Sequence, residues 1–520
     1  MHSVRSLSTF AVSLLFLCQF ATLIAEADVR NGVGLPDISD IPDQSSAPVV
    51  RFLLDRTELS PEYLQRRAIL KSYTMAESLR GVKQREKQRQ LLKLKGYSQH
   101  GGNSHAEPVI PVPLTDIPKE YGYTAAISIG TYPSSPAFSS PTSPWSSLFN
   151  LLVDTGSDQV VVISAECTDV ECVQVPHRYS CSASTTCVQD VKRPLTGTSR
   201  WVQRYGDGTL ANGTLVQDTL RFVSAASTDA SLLDVSMLEI PNQSILMVDQ
   251  PGLHLTKSYG TSVDGIIGLN LRSPTIAATV IQNLQKPELA VSVSSSSPSP
   301  LESSRQSYRL SNGYAVGDSP FNGMGFMSLW LGKSFTPGEG GELLLNAVNR
   351  SRFHGPIRWS DRGPSPYDWS VLMDQGIQLH DSATDTTFFT VPETEQTYAV
   401  LDSGSDGIYL QRRMYHALYS QIPGAKQLEN GFWRVPCHGT TDLVFGIEGA
   451  LYRIPYEDWV KKPNATLTRA SSGGPGMCQG KVYGSSPGPT LLGAAFMRTV
   501  YTIFDFSRPG NERMGFAALA

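Results

Sequence analysis

From Pro108 onward, short apolar runs rich in Val, Ile, Thr, Tyr and Phe are separated by Gly, Pro, Asn and Ser about every ten residues, the spacing of short strands joined by turns. No sustained 3.6-residue period crosses this stretch, so it reads as all-β. Two Ser/Pro-rich inserts, 134–147 and roughly 292–307, read as exposed loops. The preceding segment has a different period. Leu64, Ile69, Leu70, Met75, Leu79, Leu91 and Leu92 stand among good helix formers and predict amphipathic helix. Earlier still, a mostly apolar run over 10–25 follows Arg5 and ends at Ala25-Glu26-Ala27. A positive start, an apolar stretch shorter than the ~20 residues that span a bilayer, and small residues after it predict a signal peptide over 1–27. Later apolar runs are interrupted by Asp, Arg or Gly, and the C-terminus shows no lipid-anchor pattern, so no stable membrane anchor is expected.

Length and charge refine this picture. At 520 residues the chain exceeds the roughly 250–300 residues at which one core stops growing, so two lobes with appendages are expected. A formal charge of −4, without a basic stripe, argues against nucleic acid as a partner. Yet the charge is unevenly spread: 51–95 holds 12 Lys/Arg against 5 Asp/Glu, whereas from Pro108 on there are 29 against 36. Opposite signs predict that 28–107 is a basic pro-segment lying across an acidic mature domain at neutral pH and released as carboxylates protonate.

The signal peptide would carry Cys18 away, leaving six of the seven cysteines, an even number suited to disulfides in an oxidising compartment. Of the fifteen connectivities open to six cysteines, local spacing favours Cys167 with Cys172, Cys181 with Cys187, and Cys437 with Cys478. No Cys-x-x-Cys occurs, and His438 has no histidine partner at ligand spacing, so no metal site is expected. Asn-x-Ser/Thr sequons at Asn212, Asn242, Asn349 and Asn464 are compatible with secretion.

One chemistry-bearing pattern occurs twice. Asp154-Thr155-Gly156-Ser157 and Asp402-Ser403-Gly404-Ser405 each lie between an apolar strand and another apolar run. Alone, either is an Asx-turn in which Asp satisfies its own backbone; two in matching surroundings point to a pair. Carboxylates about 3 Å apart repel by about 5 kcal/mol at an effective dielectric of ~20, so one of them keeps a proton. The pair then offers a base for a water and an acid for a carbonyl oxygen in one place. Glycine after each Asp-Thr/Ser lets backbone approach closely. The nine histidines are scattered and no nucleophile elbow accompanies them. Neither a phosphate loop nor a dinucleotide fingerprint in a βαβ setting is present, so no cofactor is implied.

These motifs resemble the pepsin-like aspartic proteases, over about 120–517. The resemblance extends to the stretch from Trp201 through Tyr205-Gly206-Asp207 to Asp218, which is similar to that family's flap hairpin, to Val263-Asp264-Gly265-Ile266-Ile267-Gly268-Leu269, and to Leu491-Leu492-Gly493 with the apolar strands after it. It implies a bilobal all-β fold with a cleft between an N-terminal lobe, 108–315, and a C-terminal lobe, 316–520. Asp154 and Asp402 would form the catalytic dyad, Ser157 and Ser405 would bond their outer oxygens, and Thr155 and Ser403 would brace the loops beneath. Tyr205, with Gly206 and Asp207, would cover substrate. Cys167 with Cys172 and Cys437 with Cys478 also sit where the family often has disulfides.

Three departures from the family pattern stand out. Val161 occupies the place of a tryptophan that supports the flap tyrosine, and Ala494 that of an aspartate. Asp158 and Asp406 follow the motif serines; facing the cleft they would raise the dyad's proton affinity, and facing solvent they would do little. The expectation is a secreted or acidic-vacuole endopeptidase acting as a monomer, with polypeptide substrates and its own pro-segment as intramolecular inhibitor. Hydrophobic residues would be preferred at the scissile bond. The alternative is a catalytically silent relative that binds a protein or glycan in the cleft.

Overall fold

Burial along the strands shows why they form. Tyr123–Ile129 buries Tyr123, Ala125, Ile127 and Ile129 at the two-residue period of a sheet face. Leu148–Asp154 starts by alternating, then buries Leu151, Leu152, Val153 and Asp154 in succession, as a strand covered on both faces does. The computed structural model describes residues 110–520 except 118–121, 133–147, 190, 193–196, 206–208, 224–234, 251, 254, 256–262, 274–277, 287–290, 295–313, 317–324, 334–339, 392–396, 462–475 and 486–487. The expected signal peptide, pro-segment and 134–147 insert lie outside the described residues, as do Gly206, Asp207 and Asn464. Among the described residues no helix is long and apolar enough to cross a membrane.

The two motif strands sit in matching settings. Leu148–Asp154 runs parallel to Gly265–Gly268, with Asp154 opposite Gly268, and Val160–Ile163 lies antiparallel on the far side. In the second half, Thr397–Leu401 runs parallel to Thr490–Leu492, and Ile408–Gln411 takes the corresponding antiparallel place. Gly265 is dictated by this close approach, since a Cβ there would stand 2.1 Å from the Val161 carbonyl oxygen.

A shared sheet ties the halves together. Ile110–Asp116 pairs with Gly341–Leu345, which pairs with Phe326–Leu331, and the layer continues through Val500–Asp505 and Arg513–Leu519 to Phe353–Asp361. The expected lobe boundary at 315/316 falls inside the strand Tyr314–Val316, which pairs with Ala347–Asn349. All described residues belong to one compact unit. The strand-rich, bilobal all-β fold is that of the pepsin-like proteases.

One expectation is corrected. Part of the 292–307 insert is not loop: Val291–Ser294 adds to the edge of Val235–Gln250, with Leu238 opposite Val291 and Val235 opposite Ser294. Val291 and Val293 alternate with serine, a period a strand accepts, and the Ser/Pro composition of the stretch masks it.

Three disulfides form, joining Cys167 to Cys172, Cys181 to Cys187 and Cys437 to Cys478, at sequence separations of 5, 6 and 41. Loop-closure entropy scales with the logarithm of loop length, which gives about 4 kcal/mol for the longest and about 2 kcal/mol for the shortest. Replacing Cys437 and Cys478 by serine should therefore lower stability by about 2 kcal/mol more than replacing Cys167 and Cys172. Urea unfolding of the two double variants measures this, and equal midpoint shifts would contradict it.

Candidate active site

Asp154 is held where its strand ends, with the Leu269 N–H donating to its carbonyl oxygen at 2.7 Å. Asp402 is held likewise, its own N–H donating to the Leu492 carbonyl at 3.1 Å. Beneath the carboxyls the two loops exchange hydrogen bonds. Thr155 N–H donates to Ser403 Oγ at 3.1 Å, and Ser403 N–H donates to Thr155 Oγ1 at 3.0 Å. Each hydroxyl then donates across to the other half, Thr155 to the Leu401 carbonyl at 2.8 Å and Ser403 to the Val153 carbonyl at 2.7 Å. Thr155 and Ser403 are both 0% exposed, so these four bonds are shielded from competing water.

The brace brings the two carboxyls together. A Cβ built on Gly156 would lie 2.5 Å from Asp402 Cγ and Oδ1, and one built on Gly404 would lie 2.5 Å from Asp154 Oδ1. Each motif's glycine thus underlies the other motif's carboxyl, and a side chain at either position would push that carboxyl aside. The same glycines donate to their own aspartates, Gly156 N–H to Asp154 Oδ1 at 2.8 Å and Gly404 N–H to Asp402 Oδ1 at 3.0 Å. Burial first, then the Asp402 charge, push the Asp154 carboxyl well above the ordinary aspartate range, against opposing pulls from Ser157 and the Gly156 N–H.

The serines expected to act alike differ. Ser405 Oγ donates to Asp402 Oδ2 at 2.7 Å. Ser157, 8% exposed, stands close enough to favour the charged form of Asp154 but closes no hydrogen bond of full geometry. Asp158 and Asp406 follow neither alternative raised for them. Both are half-buried, and burial raises the proton affinity of each. Ser273 counters this at Asp158, and Lys461, Lys481 and the Tyr483 hydroxyl counter it at Asp406, Tyr483 donating to Asp406 Oδ2 at 3.2 Å. Neither is among the groups that act on Asp154. Ala494, at 0% exposure, donates its N–H to the Ser405 carbonyl at 2.8 Å and buttresses that loop through backbone alone.

The hairpin of Arg200–Arg204 with Leu210–Val223 carries Tyr205 at its turn, where the Tyr205 N–H donates to the Thr209 carbonyl at 3.0 Å. Its half-buried ring packs on an apolar cluster that includes Trp201 and the fully buried Val161. Apolar packing thus operates where the family pattern has a tryptophan. Among the described residues no group of three or more His, Cys, Asp or Glu is arranged to hold a metal ion.

Sequence reasoning missed Trp369. Its indole N–H donates to the Leu269 carbonyl at 2.8 Å, while its own carbonyl accepts from the Leu401 N–H at 2.8 Å. Leu269 holds Asp154, and Leu401 precedes Asp402, so this fully buried residue joins, through its indole and its backbone carbonyl, the segment that bonds one aspartate to the strand that leads into the other. It lies in no repeated motif, and only its size and apolarity marked it.

Against this geometry, known proteins agree. Residues 123–293 and 325–519 match the family described as eukaryotic aspartyl protease, and the chain belongs to that family. It is similar to a probable aspartic-type endopeptidase CTSD of Arthroderma benhamiae, 22% identical over 71% of this chain and 58% of that protein. It is also similar to cathepsin D of Canis lupus familiaris, 25% identical over 74% of this chain and 78% of that one. Vacuolar protease A of Aspergillus fumigatus is 24% identical over 76% and 78%. The chain thus spans somewhat under two thirds of the first of these relatives.

The raised proton affinity of Asp154 has a consequence for stability. Between the ordinary value near 3.8 and the higher folded value, the native state holds a proton that the unfolded chain has released. Stability therefore falls as pH rises through that window. Asp154→Asn removes this loss, so from pH 3 to pH 7 its stability relative to the parent should shift in the variant's favour. Chemical denaturation across that range tests it; a gap independent of pH would contradict the raised affinity.

Proposed function

We propose that the chain is an aspartic-type endopeptidase in which Asp154 and Asp402 activate a water against a peptide carbonyl. The observation that carries this reading is the mutual placement of the two carboxyls over each other's glycines, above a buried brace. The pair holds one proton, which burial and the Asp402 charge bias toward Asp154. Asp402, bonded by Gly404 N–H and Ser405 Oγ, takes a proton from the water, and Asp154 donates a hydrogen bond to the carbonyl oxygen as it gains charge. The proton gained at Asp402 then passes to the leaving nitrogen, and no covalent acyl-enzyme forms.

An extended substrate pairs with flap backbone as an added strand; Tyr205 covers it and excludes water. Hydrophobic side chains flank the scissile bond. Residues 1–27 direct the chain into the secretory pathway, and 28–107 act as its intramolecular inhibitor until acid conditions release them. The name of vacuolar protease A supports an acidic vacuole as one destination.

Asp154→Asn and Asp402→Asn should each lower cleavage of casein at pH 3 to 5 by at least about a hundredfold, the scale of a lost acid or base, with the near-ultraviolet dichroism of the fold retained. Parent-level activity in either variant would remove the mechanism.

A further inference from the structure

Four sequons are written into the chain, and three fall within the described residues, in very different surroundings. Asn242 is exposed. It lies where the pairing of Leu210–Val223 with Val235–Gln250 shifts register between Asp218 and Leu220, so that Pro241 and Asn242 together oppose a single residue as a bulge. Its φ is +55°, a left-handed conformation that asparagine tolerates better than most residues. Its side chain makes no hydrogen bond among the described residues.

Asn349 is the opposite case. It is 5% exposed and its side chain is fully engaged. Nδ2 donates to Glu342 Oε1 at 3.1 Å, while Oδ1 accepts from Ser351 N at 3.1 Å and from Ser351 Oγ at 2.7 Å. Its own N–H donates to the Tyr501 hydroxyl at 2.9 Å. At Asn212, Nδ2 donates to Gln250 and Oδ1 accepts from Arg200 at 3.1 Å; it is half-exposed, within the flap hairpin opposite Val202, and falls between the two.

The geometry points to Asn242 as an N-glycosylation site of this protein and to Asn349 as a sequon that is bare in every chain that reaches the native fold. This rests on the secretory reading of residues 1–27. The donor is an oligosaccharide joined through its anomeric carbon to a lipid pyrophosphate. Asn242 Nδ2 bonds to that carbon, the carbon–oxygen bond to the pyrophosphate breaks, the lipid pyrophosphate leaves with the electron pair, and the displaced Nδ2 proton passes to a base of the transferase. Transfer occurs on the unfolded chain, so burial does not block the reaction at Asn349. A sugar on its Nδ2 instead lacks room in the native packing, and chains bearing it fail to fold. At Asn242 the bulky, solubilising group projects from a bulge. Eight residues of strand separate Asn242 from Gln250, the partner of Asn212 at the flap hairpin, or roughly 26 Å at 3.3 Å per residue. A glycan there leaves the flap free to move.

The test is full-chain expression in a eukaryotic secretory host, in two forms: with residues 1–27 as they stand, and with a host leader in their place. Peptide mass spectrometry before and after amidase removal of N-glycans reads each site. The expected result is a glycan on the Asn242 peptide and an unmodified Asn349 peptide. Asn242→Gln should lose one glycan mass with casein cleavage unchanged, and Asn349→Gln should leave the mass unchanged. A bare Asn242 in the leader-directed, disulfide-bonded protein would overturn the assignment, as would a folded, active species glycosylated at Asn349. A glycan on Asn242 only in the leader-directed form upholds the site while refuting the secretory reading of 1–27.

Discussion

The four buried hydrogen bonds exchanged between Thr155 and Ser403 and the strands beneath them are what the rest of the site depends on. Two carboxyls at contact distance resist being brought together, by about 5 kcal/mol if both are charged. Charge-neutral bonds at 0% exposure oppose that tendency without adding a charge of their own. They also fix geometry: backbone N–H and side-chain hydroxyl bond reciprocally, so neither loop shifts without unsatisfying a buried group in the other. The raised proton affinity of Asp154 is thus a consequence of packing, and the acid and base roles proposed for the pair rest on it.

The surrounding architecture serves the same end. Asp154 ends its strand and Asp402 directly follows its own, and each of these strands runs parallel to a second that has a third, antiparallel strand on its far side. Trp369 spans the gap between them, bonded to Leu269 on one side and to Leu401 on the other. Its ring meets Phe504 edge-on at 5.0 Å, which anchors the bridge to the shared sheet. Positioning of the carboxyls is in this way continuous with the core.

Much of this was legible in the residues. The period-two texture gave strands, and the doubled Asp-Thr/Ser-Gly-Ser motif marked both loops, because carboxylate, small hydroxyl and glycine are each required by local sterics. What was hidden arises from contacts between distant segments. Trp369 carries no spacing signal, since its partners lie 100 positions before it and 32 after it. Ser157 and Ser405 look equivalent in sequence, yet only the latter closes a full bond. For Asp158 and Asp406 the residues leave cleft and solvent equally open; in the fold they meet Ser273 and Tyr483 instead. The strand Val291–Ser294 is obscured by the Ser/Pro composition of the stretch that follows it.

The central claim is that Asp154 and Asp402 share one proton in the free protein. Neutron diffraction from deuterium-exchanged crystals near pH 5 addresses it directly, because it places the nucleus itself. One deuteron is expected between the two carboxyls, bonded on the Asp154 side, with Gly156 and Gly404 N–D directed at the inner oxygens. Two bare carboxylates, or a deuteron on each, would contradict it.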